Sequence, residues 1–207
     1  MANIGIADED VTLVTRLKES KVIRPIDLEK LVLGNGTMFG SCSDSKHFKD
    51  KIQHLEKLLE DKGSADEIFP IPRGGGMIWL AKSILLESVG IPRDLDILFD
   101  IRIGIEKRHH TSLLLSVHAP CGAAADFNLS VFDQIELLIL GKERVEEEFS
   151  YLDPKLTIYT LFHICYSADK RRTYHVSPEK WNEVKKDLKY LDYSPEILFN
   201  KSSMANT

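Results

Sequence analysis

The sequence predicts an α/β fold, a largely parallel β-sheet flanked by helices. Two observations predict it. From Thr37 onward, short runs of apolar residues alternate with segments of helical periodicity. One of those runs, Leu113-Leu114-Leu115-Ser116-Val117, is continuous, as in a central parallel strand covered on both faces.

In chain order, Val11 to Leu31 reads as two short helices, broken at Val22-Ile23-Arg24-Pro25 because the residue before a proline is pushed out of the helical region. Gly34 and Gly36 punctuate the chain, and Thr37 to Cys42 reads as a strand. Phe48, Ile52, Leu55 and Leu59 then form one helical stripe, with the helix ending near Gly63. Glu67 to Ile71 is the next strand, and Gly74-Gly75-Gly76 leads into a helix from Met77 to Ser88 that is apolar on most sides. The triple glycine has no Gly-Lys-Ser/Thr after it, so it reads as a tight turn needing flexible residues rather than a phosphate loop. A helix from Arg93 to Arg108 precedes the central strand. Asn128 to Phe149 is helical by pattern, with Asp126 or Asn128 as N-cap. Leu156 to Tyr166 and Thr173 to Val176 read as strands joined by a polar turn, and Pro178 to Leu191 as a closing helix. Without repeats or low-complexity linkers, residues 1–207 are expected to form one domain, with 1–33 as an N-terminal helical segment and 177–207 as a C-terminal helix and tail.

A net charge of -5 gives no electrostatic reason to expect nucleic acid or an anionic membrane as partner. The basic runs Lys107-Arg108-His109-His110 and Lys170-Arg171-Arg172 read as solvated helix-end and turn residues. No apolar run approaches the roughly 18 to 20 residues that cross a bilayer, and the N-terminus lacks a secretory pattern, so a cytoplasmic location is expected. Three cysteines are too few for a disulfide scaffold, which points to metal binding or burial.

Two motifs carry chemistry. Cys42-Ser43-Asp44-Ser45-Lys46 follows the first strand, and His118-Ala119-Pro120-Cys121-Gly122 follows the central one. Sites in open α/β sheets gather at the carboxyl ends of strands, where Cys42 and His118 both fall. Zinc favours thiolate and imidazole, and a catalytic zinc keeps three protein ligands and one open position. Cys42, His118 and Cys121 would supply such a set, with the fourth place left to water or to Asp44. By spacing alone a His-x-x-Cys pair also arises by chance, and the three residues can equally be separate half-buried side chains. His163 and Cys165 share one face of a strand and read as buried in the sheet. His47, His109 and His110 read as surface histidines, and Trp79 and Phe127 as core residues, with the lining of an apolar pocket as their functional alternative.

Taken in order, Cys-Ser-Asp-Ser and His-x-x-Cys-Gly, each after an apolar strand, resemble the paired zinc motifs of the β-class carbonic anhydrases. The resemblance runs from about Thr37 to Val176 and makes the chain look like a divergent member. It implies a β-carbonic-anhydrase-like fold and a zinc ion on Cys42, His118 and Cys121. The implied activity is that of a lyase interconverting carbon dioxide and bicarbonate through a zinc-bound hydroxide. It further implies that Asp44 and Lys46 orient the nucleophile, that Gly122 lies beside the substrate, and that the protein forms a homodimer or larger homo-oligomer.

The chain departs from that pattern at named positions. The family's arginine is Lys46 here, and an ammonium lacks the planar fork with which guanidinium fixes a carboxylate. Either Asp44 is gated more loosely, or it spends more time on the metal and activity falls. Arg73-Gly74-Gly75-Gly76 stands where the family has Arg-Asn-Ala-Gly-Asn. These departures leave two further readings open: a zinc protein of this fold with weak or no hydratase activity, and a zinc hydrolase of another small heteroallene such as carbon disulfide.

Overall fold

The computed structural model describes residues 5–27, 29–33, 36–61, 68–81, 93–153, 155–167 and 169–192, without the side chains of 9, 45–47, 58, 61 and 189–192. Its centre is a six-stranded sheet of β1 (Ile23–Pro25), β2 (Thr37–Cys42), β3 (Ile68–Arg73), β4 (Ser112–Ala119), β5 (Thr157–Ser167) and β6 (Lys170–Val176). The strand order is β1-β6-β5-β4-β2-β3. β2 pairs in parallel with β3 and β4, and β4 with β5, while β6 returns antiparallel to β5 and β1 antiparallel to β6. The expected α/β class and helix-flanked sheet are therefore present, with parallel strands at the middle and antiparallel strands at one side.

The helices are α1 (Asp8–Glu19), α2 (Ser45–Asp61), α3 (Arg93–Arg108), α4 (Gly122–Asp126), α5 (Val131–Glu148) and α6 (Pro178–Asp192). Strand alternation divides the apolar residues between two layers. Met38, Leu113, Leu115, Val117, Phe162 and Ile164 face the larger core, which α5 fills with Ile135, Leu138 and Ile139. Phe39, Leu114 and Leu161 face the other way, onto Leu55 and Leu59 of α2. The α2 stripe read from its spacing is thus the face that covers the second layer. Arg144 of α5 ties neighbouring elements together, pairing with Asp94 of α3 at 2.6 Å and donating to the Leu80 carbonyl at 3.0 Å.

Several expectations are corrected. Residues 11–31 do not form two helices; one helix is followed by the short edge strand β1, whose Pro25 is tolerated because an edge strand can lack one donor. The helix expected from Met77 to Ser88 is a single 3-10 segment, Gly76–Leu80, and Ala81 is already extended at φ -67, ψ 129. Residues 82–88 lie outside the described residues. The long helix is capped by neither Asp126 nor Asn128. Asn128 has a positive φ of 54°, and Ser130 caps α5 through a reciprocal pair in which its hydroxyl accepts from the Asp133 amide at 3.1 Å. Lys170 to Arg172 begin β6 rather than forming a turn, and Arg171 pairs with Asp50 of α2. His110 is buried at 5% exposure beside the Phe69 ring, while His109 is exposed as expected. Among the described residues, no helix is long and apolar enough to cross a membrane.

The closing helix α6 is anchored by Trp181, which is fully buried, packs on Phe132 with ring centroids 4.6 Å apart, and donates its indole N–H to Glu136. Trp181→Ala removes that anchor and orphans a carboxylate oxygen. The variant is expected to lose about 3–5 kcal/mol of stability in chemical denaturation.

Candidate metal centre

The β2–β4 pairing runs from Thr37 opposite Ser112 to Gly40 opposite Leu115. Continued by two residues, this register sets Cys42 level with Val117, one residue before His118. The chain then leaves β4 through the cis Ala119–Pro120 bond, and Cys121 stands as the residue preceding α4. The Cys42 and Cys121 sulfurs and a ring nitrogen of His118 all lie within 4.8 Å of one another, and all three residues are buried. Among the described residues, this is the one group of His, Cys, Asp or Glu side chains so arranged.

The electrostatics are those of a coupled thiol pair in which Cys42 loses its proton readily and Cys121 holds one. The hydrogen bond from Cys121, reinforced by His118, lowers the Cys42 thiol pKa to about 3. The same contact together with burial pushes Cys121 far up, so one proton is shared between the two sulfurs. Backbone amides also converge on them, that of Asp44 on Cys42 and those of Ala123 and Ala124 on Cys121. Such amides stabilise thiolate. The donor set suits zinc, which takes thiolate and imidazole at about 2.0–2.3 Å. Donor atoms so close together could hold one ion between them.

The surrounding turn is pinned by glycine. Gly75 and Gly76 have φ of 87° and 70°, and a Cβ on Gly76 would lie 2.9 Å from the Ser116 carbonyl oxygen and 3.0 Å from the Cys42 amide nitrogen. The triple glycine is thus a tight strand-to-helix turn, as its sequence suggests. Arg73 is held by Asp100 of α3, and the Trp79 indole donates to the Gly74 carbonyl. Trp79 is buried at 4% exposure, whereas Phe127, 36% exposed, meets it edge-on at 5.2 Å.

Asp44 is half-buried and immediately precedes α2, its carbonyl accepting from the Phe48 amide at 2.8 Å. Lys46 lies in the first turn of α2, and its side chain and that of His47 fall outside the described residues. Gly122 opens α4 and is exposed. His163 and Cys165 are buried in β5 as expected, the former with Nδ1 2.9 Å from the Thr173 hydroxyl and the latter donating to the Ser167 carbonyl at 3.2 Å.

One charged residue near the centre escaped notice in the sequence. Lys51 of α2 is buried at 3% exposure, and its ammonium donates to the Ser41 hydroxyl at 2.5 Å. Burial lowers its pKa to about 8, opposed by the negative charges of Cys42, Cys121 and Asp44. The available signal was positional: Lys51 sits three residues after Phe48 and four before Leu55, on the apolar stripe itself.

No protein-family model matches the chain, and no curated protein matches it. Among solved structures, it is similar to two variants of the β-carbonic anhydrase CafD of the filamentous fungus Aspergillus fumigatus. These superpose with a TM-score of 0.41 at 12% and 14% identity, covering 75% of this chain and 99% and 98% of theirs. It is also similar to β-carbonic anhydrase isoform I of the protozoan Trichomonas vaginalis, with a TM-score of 0.39 at 13% identity over 83% of this chain and 99% of that one. Overlap at this level does not bear on chemistry, which rests on the side chains themselves.

Because the Gly76 position touches backbone at both Cys42 and Ser116, Gly76→Ala must move one of the strands that carry the centre. It is expected to destabilise the protein by about 2–4 kcal/mol, measured by urea denaturation, and to weaken metal uptake in parallel.

Proposed function

We propose that this chain is a zinc-dependent, carbonic anhydrase-like lyase interconverting carbon dioxide and bicarbonate. The observation that carries the reading is the convergence of two cysteine sulfurs and one imidazole, from opposite halves of the chain, within 4.8 Å in a buried site. It is supported by the resemblance of the two motifs, in order, to those of the β-class carbonic anhydrases.

In this reading Cys42, His118 and Cys121 would hold the ion in place of the proton the two sulfurs share, and the amide contacts would support the thiolates. Bound zinc supplies an acidified water, lowering its pKa from about 15.7 to around 7 so that a nucleophilic oxygen is available at neutral pH. Asp44 would accept a hydrogen bond beside the fourth position, Lys46 would partner the Asp44 carboxylate, and Gly122 would leave room for the small linear substrate. Burial of the ligands excludes bulk water, so charges at the site act at greater strength than in solution. We also propose that the protein works as a homodimer or larger homo-oligomer, which sedimentation would test. Lys46 in the place of an arginine favours a second reading, a zinc protein with this centre and little turnover.

The test is zinc content together with stopped-flow carbon dioxide hydration across pH. One zinc per chain is expected, with a rate that rises through a pKa near or above about 7. Cys42→Ala should lose both metal and rate, and Lys46→Arg should raise the rate if the missing fork limits it. A zinc-replete sample with no rate above buffer overturns the lyase reading, and hydrolysis of carbon disulfide by that sample would instead assign the heteroallene activity.

A further inference from the structure

Helix α2 sends one charged side chain into the interior. Lys51 is buried at 3% exposure and lines a small apolar cavity of about 20 Å³ together with Phe39, Leu55 and Leu161. An ammonium in such surroundings is costly unless an anion compensates it. The Ser41 hydroxyl that accepts its hydrogen bond supplies a dipole but no charge. Asp50, the neighbour in sequence, is committed to Arg171. The negative groups in electrostatic reach of Lys51 are Cys42, Cys121 and Asp44, and Ser41 adjoins Cys42 directly.

Charge counting then has a consequence for ligand choice. Two thiolates and a neutral imidazole around a divalent cation sum to zero. Lys51 adds one positive charge and the half-buried Asp44 carboxylate one negative charge, so the assembly is neutral with Lys51 in place and negative without it. An anionic oxygen or nitrogen donor at the fourth position is then stabilised by Lys51, whereas a neutral donor is nearly indifferent to it. The effect is felt across low-dielectric protein and is little screened by salt.

We propose that Lys51 is a positioning residue that biases the Cys42–His118–Cys121 centre toward an anion at the metal's fourth position, through its buried charge rather than through contact. The inference rests on the metal-centre reading above and deepens it by naming the ligand class favoured there and the residue that sets it.

The test uses full-length protein loaded with cobalt(II), whose visible spectrum reports the donors. Sulfur-to-cobalt charge-transfer bands in the wild type, lost in Cys42→Ala, establish the centre; their absence overturns the metal-centre reading and this inference with it. Azide and imidazole, an anion and a neutral ligand, are then titrated at fixed pH. Lys51→Met, similar in length and uncharged, should weaken azide by about tenfold or more. Imidazole affinity should stay within about threefold, and Lys51→Arg should restore azide binding. Lys51→Gln, which keeps a donor for Ser41, serves the same comparison should the methionine variant not load cobalt. With the centre established, equal azide affinity in the wild type and the neutral variants overturns the inference. So does an equal loss for azide and imidazole, since a purely structural role weakens both.

Discussion

The parallel pairing of β2 with β4 is the constraint from which the rest follows. It aligns the carboxyl ends of two strands that are more than seventy residues apart in sequence, so Cys42 and His118 emerge side by side. A slip of one residue would turn Cys42 to the opposite face and separate it from the imidazole. That register is fixed by burial on both faces. Met38 and Leu113 pack into one core and Phe39 and Leu114 into the other, so any slip exchanges two apolar layers at once. Two of the three donors are therefore held by the central strands of the sheet, and the third by the turn that leaves β4.

The turns around the strand ends are tied down by specific contacts. Cys121 is placed by the turn out of β4 and by the amides of Ala123 and Ala124. The glycine turn after β3 closes against the Cys42 and Ser116 backbones, where no larger residue fits. Lys51, held by the Ser41 hydroxyl, adds a positive charge beneath the strand end. Each partner acts on the protonation or the position of a sulfur, which makes the centre a cooperative unit rather than three neighbouring side chains.

Much of this was legible in the chain because it depends on strong local signals. The central strand showed as a continuous apolar run, α2 as a stripe of four residues, and the two strand ends as the positions of Cys42 and His118. What the sequence concealed depends on long-range partners or on short elements. β1 has only three residues and exists through its ladder with β6, some 150 residues later, so Pro25 looked like a break between helices. The cap of α5 was readable as Ser130 followed three residues later by Asp133, but the earlier polar residues Asp126 and Asn128 drew attention away from it. Lys51 was hidden by its type, because lysine on an apolar stripe usually carries its ammonium out to water. Only the packing of α2 over Ser41 keeps it inside.

The central claim is that two sulfurs and one imidazole nitrogen share a single metal ion. X-ray absorption at the zinc edge of the purified protein reads those donors directly. The account predicts a first shell of two sulfur and one nitrogen scatterer with one further light atom, at zinc–sulfur distances of about 2.3 Å. A first shell built only of oxygen and nitrogen, or a folded protein that takes up no zinc, would contradict it.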